Sequence, residues 1–409
     1  MRVAEINTVT NGSTGRIMLG IAETARQSGI EVKTYAKKWS AQKEIKGNKY
    51  FGTKAENRLN AIISRITGFA DIYSVFGTKK LINELDKWNV DCIHLHNIHG
   101  WYISFPLLFK YIKSKNISVV WTLHDCWPFT GKCPYFSYPK CEKWQSGCGK
   151  CKRLKDYPSS IFDTTKYMYK LKRKCFSGVR SMRLVTPSVW LSELVKQSYL
   201  NEYEVKIINN GIDLDVFYPR KRTYFTNVGI ENKKIILGVA FEWEKRKGLD
   251  VFLWLSKCLS DDYRIVLVGT NDAIDKLLPN NIISIHKTHD QDELAQIYSS
   301  ADVFINPTRE DNFPTTNIES LACGTPVVTF NTGGSPEMLS YACGAVVETE
   351  DLEGLKKQIE RLCNNSSELR EKCRWRSKGH LAPLMRPTKF PEIPVSLERN
   401  TEVFRHPLL

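Results

Sequence analysis

An acidic pair and a nearby helix start stand closest to chemistry in this sequence. A short apolar strand, Val303–Asn306, runs into a loop bearing Glu310 and Asp311. A helix is predicted to begin at Thr315 or Thr316, residue types that cap helices well, and Gly324 and Pro326 stop it. A helix amino end at the carboxyl end of a parallel strand binds anions, because its free N–H groups and the positive end of its dipole face outward. Glu319 falls on the first turn or so, and Asp311 lies eight positions before it. Carboxylates flanking an anion site suit a sugar nucleotide, whose hydroxyls need acceptors while its diphosphate needs N–H donors. The plainer alternative is that Glu319 only complements the helix dipole, worth about 0.5 kcal/mol.

Histidines form a second constellation. His124 ends the strand Ser118–Leu123 and is followed by Asp125, a position that would face a cleft. His94 and His96 share one face of another strand, with His99 in the loop after it. A metal there lacks an evident acidic third ligand. A third constellation is Cys133, Cys141, Cys148 and Cys151, spaced C-x7-C-x6-C-x2-C. They are zinc ligands stapling a loop that has no core of its own, buried free thiols, or a redox pair at Cys148 and Cys151.

The elements that position these residues alternate between strand and helix. Arg2–Val9 reads as a strand, followed by the polar turn Thr10–Gly15 and a helix ending at Gly29. Strands at Cys92–Leu95, Ser118–Leu123 and Arg183–Thr186 alternate with helices at Phe105–Lys113 and Trp190–Tyr199. Lys206–Pro219 leaves that sheet as a linker. The pattern restarts with strands Lys234–Val239, Tyr263–Val268, Val303–Asn306 and Val327–Phe330 among helices Gly248–Leu259, Asp292–Ser299 and Thr316–Cys323. The expected fold class is α/β: two doubly wound Rossmann-like domains facing a cleft, with an irregular C-terminal tail. The expected divisions are 1–205, a linker at 206–219, a second domain at 220–373 and a tail at 374–409. The tail has five prolines in 36 residues and no periodicity, so it is expected to be disordered, either a lineage-specific end or the product of a frame change.

The 409 residues are 42% hydrophobic and 25% charged, ordinary for a globular chain. No apolar run is long enough to span a bilayer, and Glu5 and Asn7 stand where a signal peptide needs its greasy stretch. The 12 cysteines are therefore expected in a reducing cytosol. The net charge of +15 favours polyanionic partners. Ten Lys or Arg between Lys152 and Arg183, interleaved with Tyr157, Phe162, Tyr167, Tyr169 and Phe176, read either as a solvated surface helix or as an interfacial helix on an anionic membrane.

On these motifs the chain resembles the family-4 retaining glycosyltransferases of GT-B fold over about residues 1–372. Glu310–Pro326 is similar to their Glu-x7-Glu block. Asn210–Asp213 with Phe217 and Pro219 resembles their interdomain linker, Thr186–Leu191 the elements before it, and Thr332–Glu337 their following loop. Trp121–Cys133 resembles a subgroup that builds bacterial exopolysaccharides, colanic acid among them. The resemblance implies that Glu319 holds the ribose and that Asp311, a departure from the family's first glutamate, or its neighbour Glu310 faces the donor sugar. It implies that the backbone of Thr315, Thr316 and Asn317 cradles the diphosphate, and that Lys247 neutralises the leaving group. Arg246 substitutes for the family's partner arginine, whose place Glu242 holds; a basic turn ahead of a helix would explain both cations more plainly. Further implications are His124 beside the anomeric carbon, Gly12 and Gly15 in a loop approaching phosphate or acceptor, and His99, Trp101 and Asp125 on the acceptor side.

The expectation is a retaining hexosyltransferase type of enzyme. It moves sugar from a nucleoside diphosphate sugar to a lipid-linked glycan acceptor, peripherally at the inner face of the cell membrane, with no cofactor for catalysis and a possible structural zinc. The rivals are a sugar-nucleotide epimerase of the same fold and a zinc-containing nucleic-acid-binding protein. The second lacks any base-reading motif.

Overall fold

The computed structural model describes residues 1–38, 47–226, 229–339, 343–365, 368–370 and 372–373. The residues after Cys373, and with them the disorder expected of 374–409, lie outside the described residues.

The first domain contains β1 (Arg2–Asn7), α1 (Gly12–Gln27), β2 (Glu31–Lys37), β3 (Asn48–Phe51), α2 (Lys54–Thr67), α3 (Val75–Trp88) and β4 (Cys92–Leu95). It continues with α4 (Phe105–Lys115), β5 (Ser118–Thr122), α5 (Lys143–Ser146), α6 (Thr165–Phe176), β6 (Met182–Thr186), α7 (Val189–Lys196) and β7 (Val205–Ile207). The second contains β8 (Lys234–Val239), α8 (Leu249–Cys258), β9 (Tyr263–Val268), α9 (Asp272–Asp275), β10 (Ile282–Ile285) and α10 (Gln291–Ser300). After these come β11 (Val303–Asn306), α11 (Thr315–Ala322), β12 (Val327–Phe330), β13 (Gly344–Val347) and α12 (Leu352–Asn364).

Both sheets are parallel, with strand orders β3-β2-β1-β4-β5-β6-β7 and β10-β9-β8-β11-β12-β13. In each, the order reverses at a switch point, between β1 and β4 and between β8 and β11. Loops leaving the carboxyl ends there diverge and open a crevice for ligand. The loop after β1 leads into α1 at Gly12, and those after β4, β8 and β11 carry His99, Lys247 and Asp311, so the topology alone gathers them.

The central strands of the first sheet show why polar residues sit inside it. Alternation sends Ala4, Ile6, Ile93, Leu95, Val119 and Trp121 to one face, into the main core. The opposite face, under α1, climbs in steps. Val3, Cys92 and Val120 pack with Ala22 and Ala25. The next step is Glu5, His94 and Thr122, and the last, at the crevice, is Asn7, His96 and His124.

Several boundaries differ from expectation. β1 stops at Asn7, and β7 carries the first sheet through Ile207. β3, β10 and β13 are four-residue edge strands and β2 a longer near-edge one, none with a clean alternation, and α2 and α3 fill what reads as unpatterned sequence. The basic stretch is not one interfacial helix: residues 152–164 are loop, and α6 buries Met168, Tyr169, Lys172 and Phe176. Lys172 Nζ donates to the Trp127 and Thr130 carbonyls at 2.8 and 3.1 Å and sits 3.5 Å over the Trp127 ring. Burial pushes its amine down to about 7.

Candidate active site

The loop after β11 makes its two acids do different things. Glu310 is buried and reaches the other domain, accepting from the Ser137 N–H and, at 3.2 Å, from the Tyr138 N–H. Burial raises its carboxyl above the ordinary range despite those bonds. Asp311 turns the other way and accepts from Lys247 Nζ at 2.6 Å. Lys247 ends a 3-10 turn, Lys245–Lys247, that follows β8. Gly248 closes that turn at φ +81, where an added Cβ would come within 2.6 Å of the Pro307 ring and carbonyl. Only glycine lets the lysine turn press against the acidic loop. Arg246 donates to Glu244 at 2.8 Å, to the Glu310 carbonyl at 3.3 Å, and packs 4.8 Å over the Tyr135 ring across the cleft.

α11 begins at Thr315, inside the expected start, but a threonine does not cap it. Its N-cap is Pro314, so Thr315, Thr316 and Asn317 are the first three helical residues and none caps by side chain. Proline leaves the N–H groups of Thr315 and Thr316 unmasked by a side-chain oxygen, whereas the Asn317 N–H donates to the Pro314 carbonyl at 3.2 Å, so the expected three-residue cradle is reduced to two. Glu319 is buried, 3.2 Å from the Tyr298 hydroxyl and 4.0 Å from Arg16 of α1. Burial raises its carboxyl, and Arg16 partly opposes this. Between α1 and α11 lies a cleft of about 420 Å³ lined by Arg16, Ile17, Gly20, Asp213, Thr315 and Glu319.

Gly12 and Gly15 do not form one loop. Gly12 opens α1 with φ +65 and free space above it. Gly15 lies inside the helix, where a Cβ would meet the Thr10 carbonyl carbon at 2.4 Å. The close approach that requires glycine at this position is to its own chain.

On the first domain, His124 stands at the end of β5. Its carbonyl accepts from Asn312 Nδ2 at 3.1 Å, and its ring stacks on His96 with Nε2 2.9 Å from His96 Nδ1. Burial, then the neighbouring imidazoles, push its pKa well below the ordinary value. His99 Nε2 meets Asp125 at 2.9 Å and Nδ1 the Tyr157 hydroxyl at 3.3 Å; Trp101 packs edge-on to Tyr157 at 5.9 Å. Burial works against a charged His99, and the Asp125 carboxylate more than offsets it.

Other residues of the site are given no role by the sequence, although Asn312 and Glu337 fall inside segments that carry the resemblance. Asp71 accepts from the Gly100 and Trp101 N–H groups at 2.9 and 2.7 Å and shapes the His99 loop. Asn312 bridges the domains through Ser188 at 2.7 Å and His124. Glu337 accepts from Val189 and Trp190 at the start of α7, at 2.8 and 2.9 Å. Glu5 supplies the acidic neighbour that His94 and His96 lacked on paper, 3.0 and 2.8 Å away.

Cys133, Cys141 and Cys148 pack against the core of the first domain, and Cys148 Sγ accepts from the Gly131 N–H at 3.1 Å. Among the described residues, the groups with all ligand atoms within 4.8 Å of one another are Glu5–His94–His96 and Asp272–Asp275–His286; the cysteines do not form one. Four sulfurs around one zinc would stand about 3.8 Å apart.

Two parallel Rossmann-like sheets, with acids, cations and a helix amino end on opposite walls of one cleft, define the GT-B architecture. Residues 14–216 match the family model described as Glycosyltransferase Family 4, and residues 220–380 the model described as Glycosyl transferases group 1. Between them the two models cover most of the chain, which belongs to these glycosyltransferase families and has the GT-B fold. It is 25% identical over 274 residues to WcaC of Escherichia coli K12, named for colanic acid biosynthesis, a match covering 64% of each chain. It is 28% identical to the Escherichia coli O-antigen biosynthesis glycosyltransferase WclY over 47% of this chain and 58% of that one. The N,N'-diacetylbacillosaminyl-diphospho-undecaprenol alpha-1,3-N-acetylgalactosaminyltransferase of Campylobacter jejuni is 27% identical over 42% of this chain and 48% of its own length. The chain thus spans less than two thirds of each of these relatives. Among solved structures, sucrose-phosphate synthase from Thermosynechococcus elongatus superimposes with a TM-score of 0.69 at 16% identity, covering 92% and 94% of the two chains. Anabaena HepE in complex with UDP-glucose does so with 0.64 at 12%, covering 92% and 95%. At these identities the likeness carries the fold.

Proposed function

We propose that this enzyme transfers a sugar, with retention of anomeric configuration, from a nucleoside diphosphate sugar to a hydroxyl of a lipid-linked glycan in bacterial surface polysaccharide synthesis. The observation that carries this reading is the cleft between α1 and α11, where Glu319, Thr315 and Arg16 meet, with Asp311 and its Lys247 partner on the loop that leads into α11. Glu319 accepts from the ribose hydroxyls. The N–H groups of Thr315 and Thr316 and the cation of Lys247 take the diphosphate, while Asn317, whose N–H is held by the Pro314 carbonyl, shapes the turn, and Arg246 adds positive charge as the leaving group departs. Asp311 faces the donor sugar, since Glu310 is engaged by the opposite domain. The acceptor oxygen attacks the face from which the diphosphate leaves, and a phosphate oxygen of the donor takes the acceptor proton. His124 lies beside the anomeric carbon, and His99, Asp125 and Trp101 line the acceptor side. HepE with UDP-glucose and the Campylobacter jejuni enzyme, with its undecaprenol-linked acceptor, support the substrate classes.

Membrane attachment at the inner face is part of the reading. Exposed Leu59, Ile62 and Ile66 of α2 lie beside exposed Ile161, Phe162 and Tyr167, joined by the Ile161 N–H to the Arg65 carbonyl at 2.8 Å and by Phe69 and Tyr167 at 5.3 Å. Arg58, Arg65, Lys166 and Lys170, all exposed, flank them, a pairing of apolar and basic groups that suits anionic lipid. Among the described residues no helix is long and apolar enough to cross a membrane. The sulfurs of the cysteine loop are not gathered as one zinc requires, and Cys133, Cys141 and Cys148 are read as thiols packed against the core; metal analysis tests this, and one zinc per chain overturns it.

The deciding experiment is a thermal-shift screen against nucleoside diphosphate sugars, followed by NMR of the product anomer. A ligand at 100 times its Kd adds about 2.7 kcal/mol. Stabilisation by none of them, or an inverted product, overturns the proposal.

A further inference from the structure

The row of polar groups beneath α1 joins the core of the first domain to the cleft. Glu5 is fully buried between β4 and α1, and each of its oxygens has an imidazole partner: His94 Nδ1 at 3.0 Å and His96 Nε2 at 2.8 Å. His94 Nε2 continues to the Thr122 hydroxyl at 2.8 Å, and His96 Nδ1 to His124 Nε2 at 2.9 Å. His94 and His96 are as buried as Glu5, whereas His124 is partly open.

Proton positions along this row follow from donor and acceptor rules. An ionised carboxylate only accepts, so His96 must donate from Nε2. A neutral imidazole then has its lone pair on Nδ1, and the group facing it must donate. That group is His124 Nε2. The charge states agree: burial alone would raise the Glu5 carboxyl, but the imidazoles, His94 first, hold it down at about 2. Burial, with His94 beside it, lowers His96 to about 4.

We propose that Glu5 and His96 are positioning residues that lock His124 in the Nε2–H tautomer, leaving Nδ1 as a bare lone pair to accept a hydrogen bond from a sugar hydroxyl in the cleft. The use of that lone pair rests on the transferase reading; the tautomer does not. A carboxylate two residues from the end of β1 thus specifies which hydrogen bond a ring at the end of β5 can make. A ring free to swap tautomers would present a donor to the same hydroxyl part of the time.

Long-range proton–nitrogen NMR of nitrogen-15 histidine-labelled protein at neutral pH tests this. In the wild type, His124 should show a protonated Nε2 and a bare Nδ1. Glu5→Leu, close in volume and unable to accept, should give a mixture of His124 tautomers. It should also lower kcat about a hundredfold, the scale for one misplaced hydrogen-bonding group, with KM changed less than about threefold. His96→Gln, whose amide oxygen can accept from His124, should recover part of that rate. A wild-type His124 protonated on Nδ1, or a Glu5→Leu variant still wholly Nε2–H, overturns the inference. Where Glu5→Leu fails to fold, the wild-type spectrum decides. If the tautomer shifts as expected while the wild type transfers no sugar, the relay stands and the transferase reading falls.

Discussion

Replacing Glu310 by alanine should open the molecule without unfolding it. The side chain belongs to the second domain but is spent on the first, where it accepts from the Ser137 and Tyr138 N–H groups. Hydrogen bonds to a charged group contribute about 1.5–3 kcal/mol each, which would give 3–6 kcal/mol for the pair. Two discounts apply. Burial raises the carboxyl, so closure already works against desolvation of the charge. In the open state, water satisfies both amides and the acid. A net effect of about 2 kcal/mol remains, or about thirtyfold in the ratio of closed to open forms. Arg246 over Tyr135 and the Asn312 bridge persist in the variant, so closure is weakened rather than lost. A fluorophore pair with one dye on each domain, read as single-molecule energy transfer without ligand, measures the ratio directly. Glu310→Gln keeps an acceptor oxygen and should move the ratio by less than half as much in free energy. An unchanged distribution in Glu310→Ala, or equal shifts in both variants, refutes the assignment of Glu310 to closure.

Glu319→Ala and Lys247→Ala should each lower transfer at least about tenfold with melting temperatures near the wild type; near-normal kinetics in both would remove the donor site from this cleft. His96 titrates at about 4 in the folded chain against the ordinary 6.5. Its stabilising effect is therefore complete above pH 6.5 and lost as pH falls toward 4, by about 3 kcal/mol, which urea unfolding at stepped pH measures and His96→Gln should flatten. Ile62→Glu combined with Phe162→Glu should reduce binding to vesicles containing anionic lipid at least about tenfold, and binding by the parent should weaken with salt. Equal binding by the double variant places the membrane face elsewhere.

The sequence was most legible where one face is greasy and one element follows another in short order. The central strands, their helices and the turn into α11 all carry clean periodicity, and the switch points follow from strand order. Edge strands such as β3 and β10 carry little alternation because their flanks are partly exposed. His94 on β4 and His96 just past its end were visible in the sequence as a shared face. Their acid was not, because Glu5 is about ninety positions away and only parallel pairing of β1 with β4 brings it near. Glu310 and Asp311 could not be distinguished by type, since adjacent residues point apart and only the opposite domain shows which one it takes. Lys172 looked like one more cation in a basic run, yet the carbonyls of Trp127 and Thr130 draw it inside.

The two acids that clasp the first domain, Glu310 and Glu337, both hold main-chain N–H groups. Nearly every residue type carries that group, so the clasped segments at 137–138 and 189–190 are free to vary in sequence provided their backbone path is kept and proline is avoided. The constraint is one-sided: substitutions tolerated on one lip of the cleft are forbidden on the other. A lineage could therefore remodel the first domain's loops for a new acceptor while inheriting its closing machinery intact from the second.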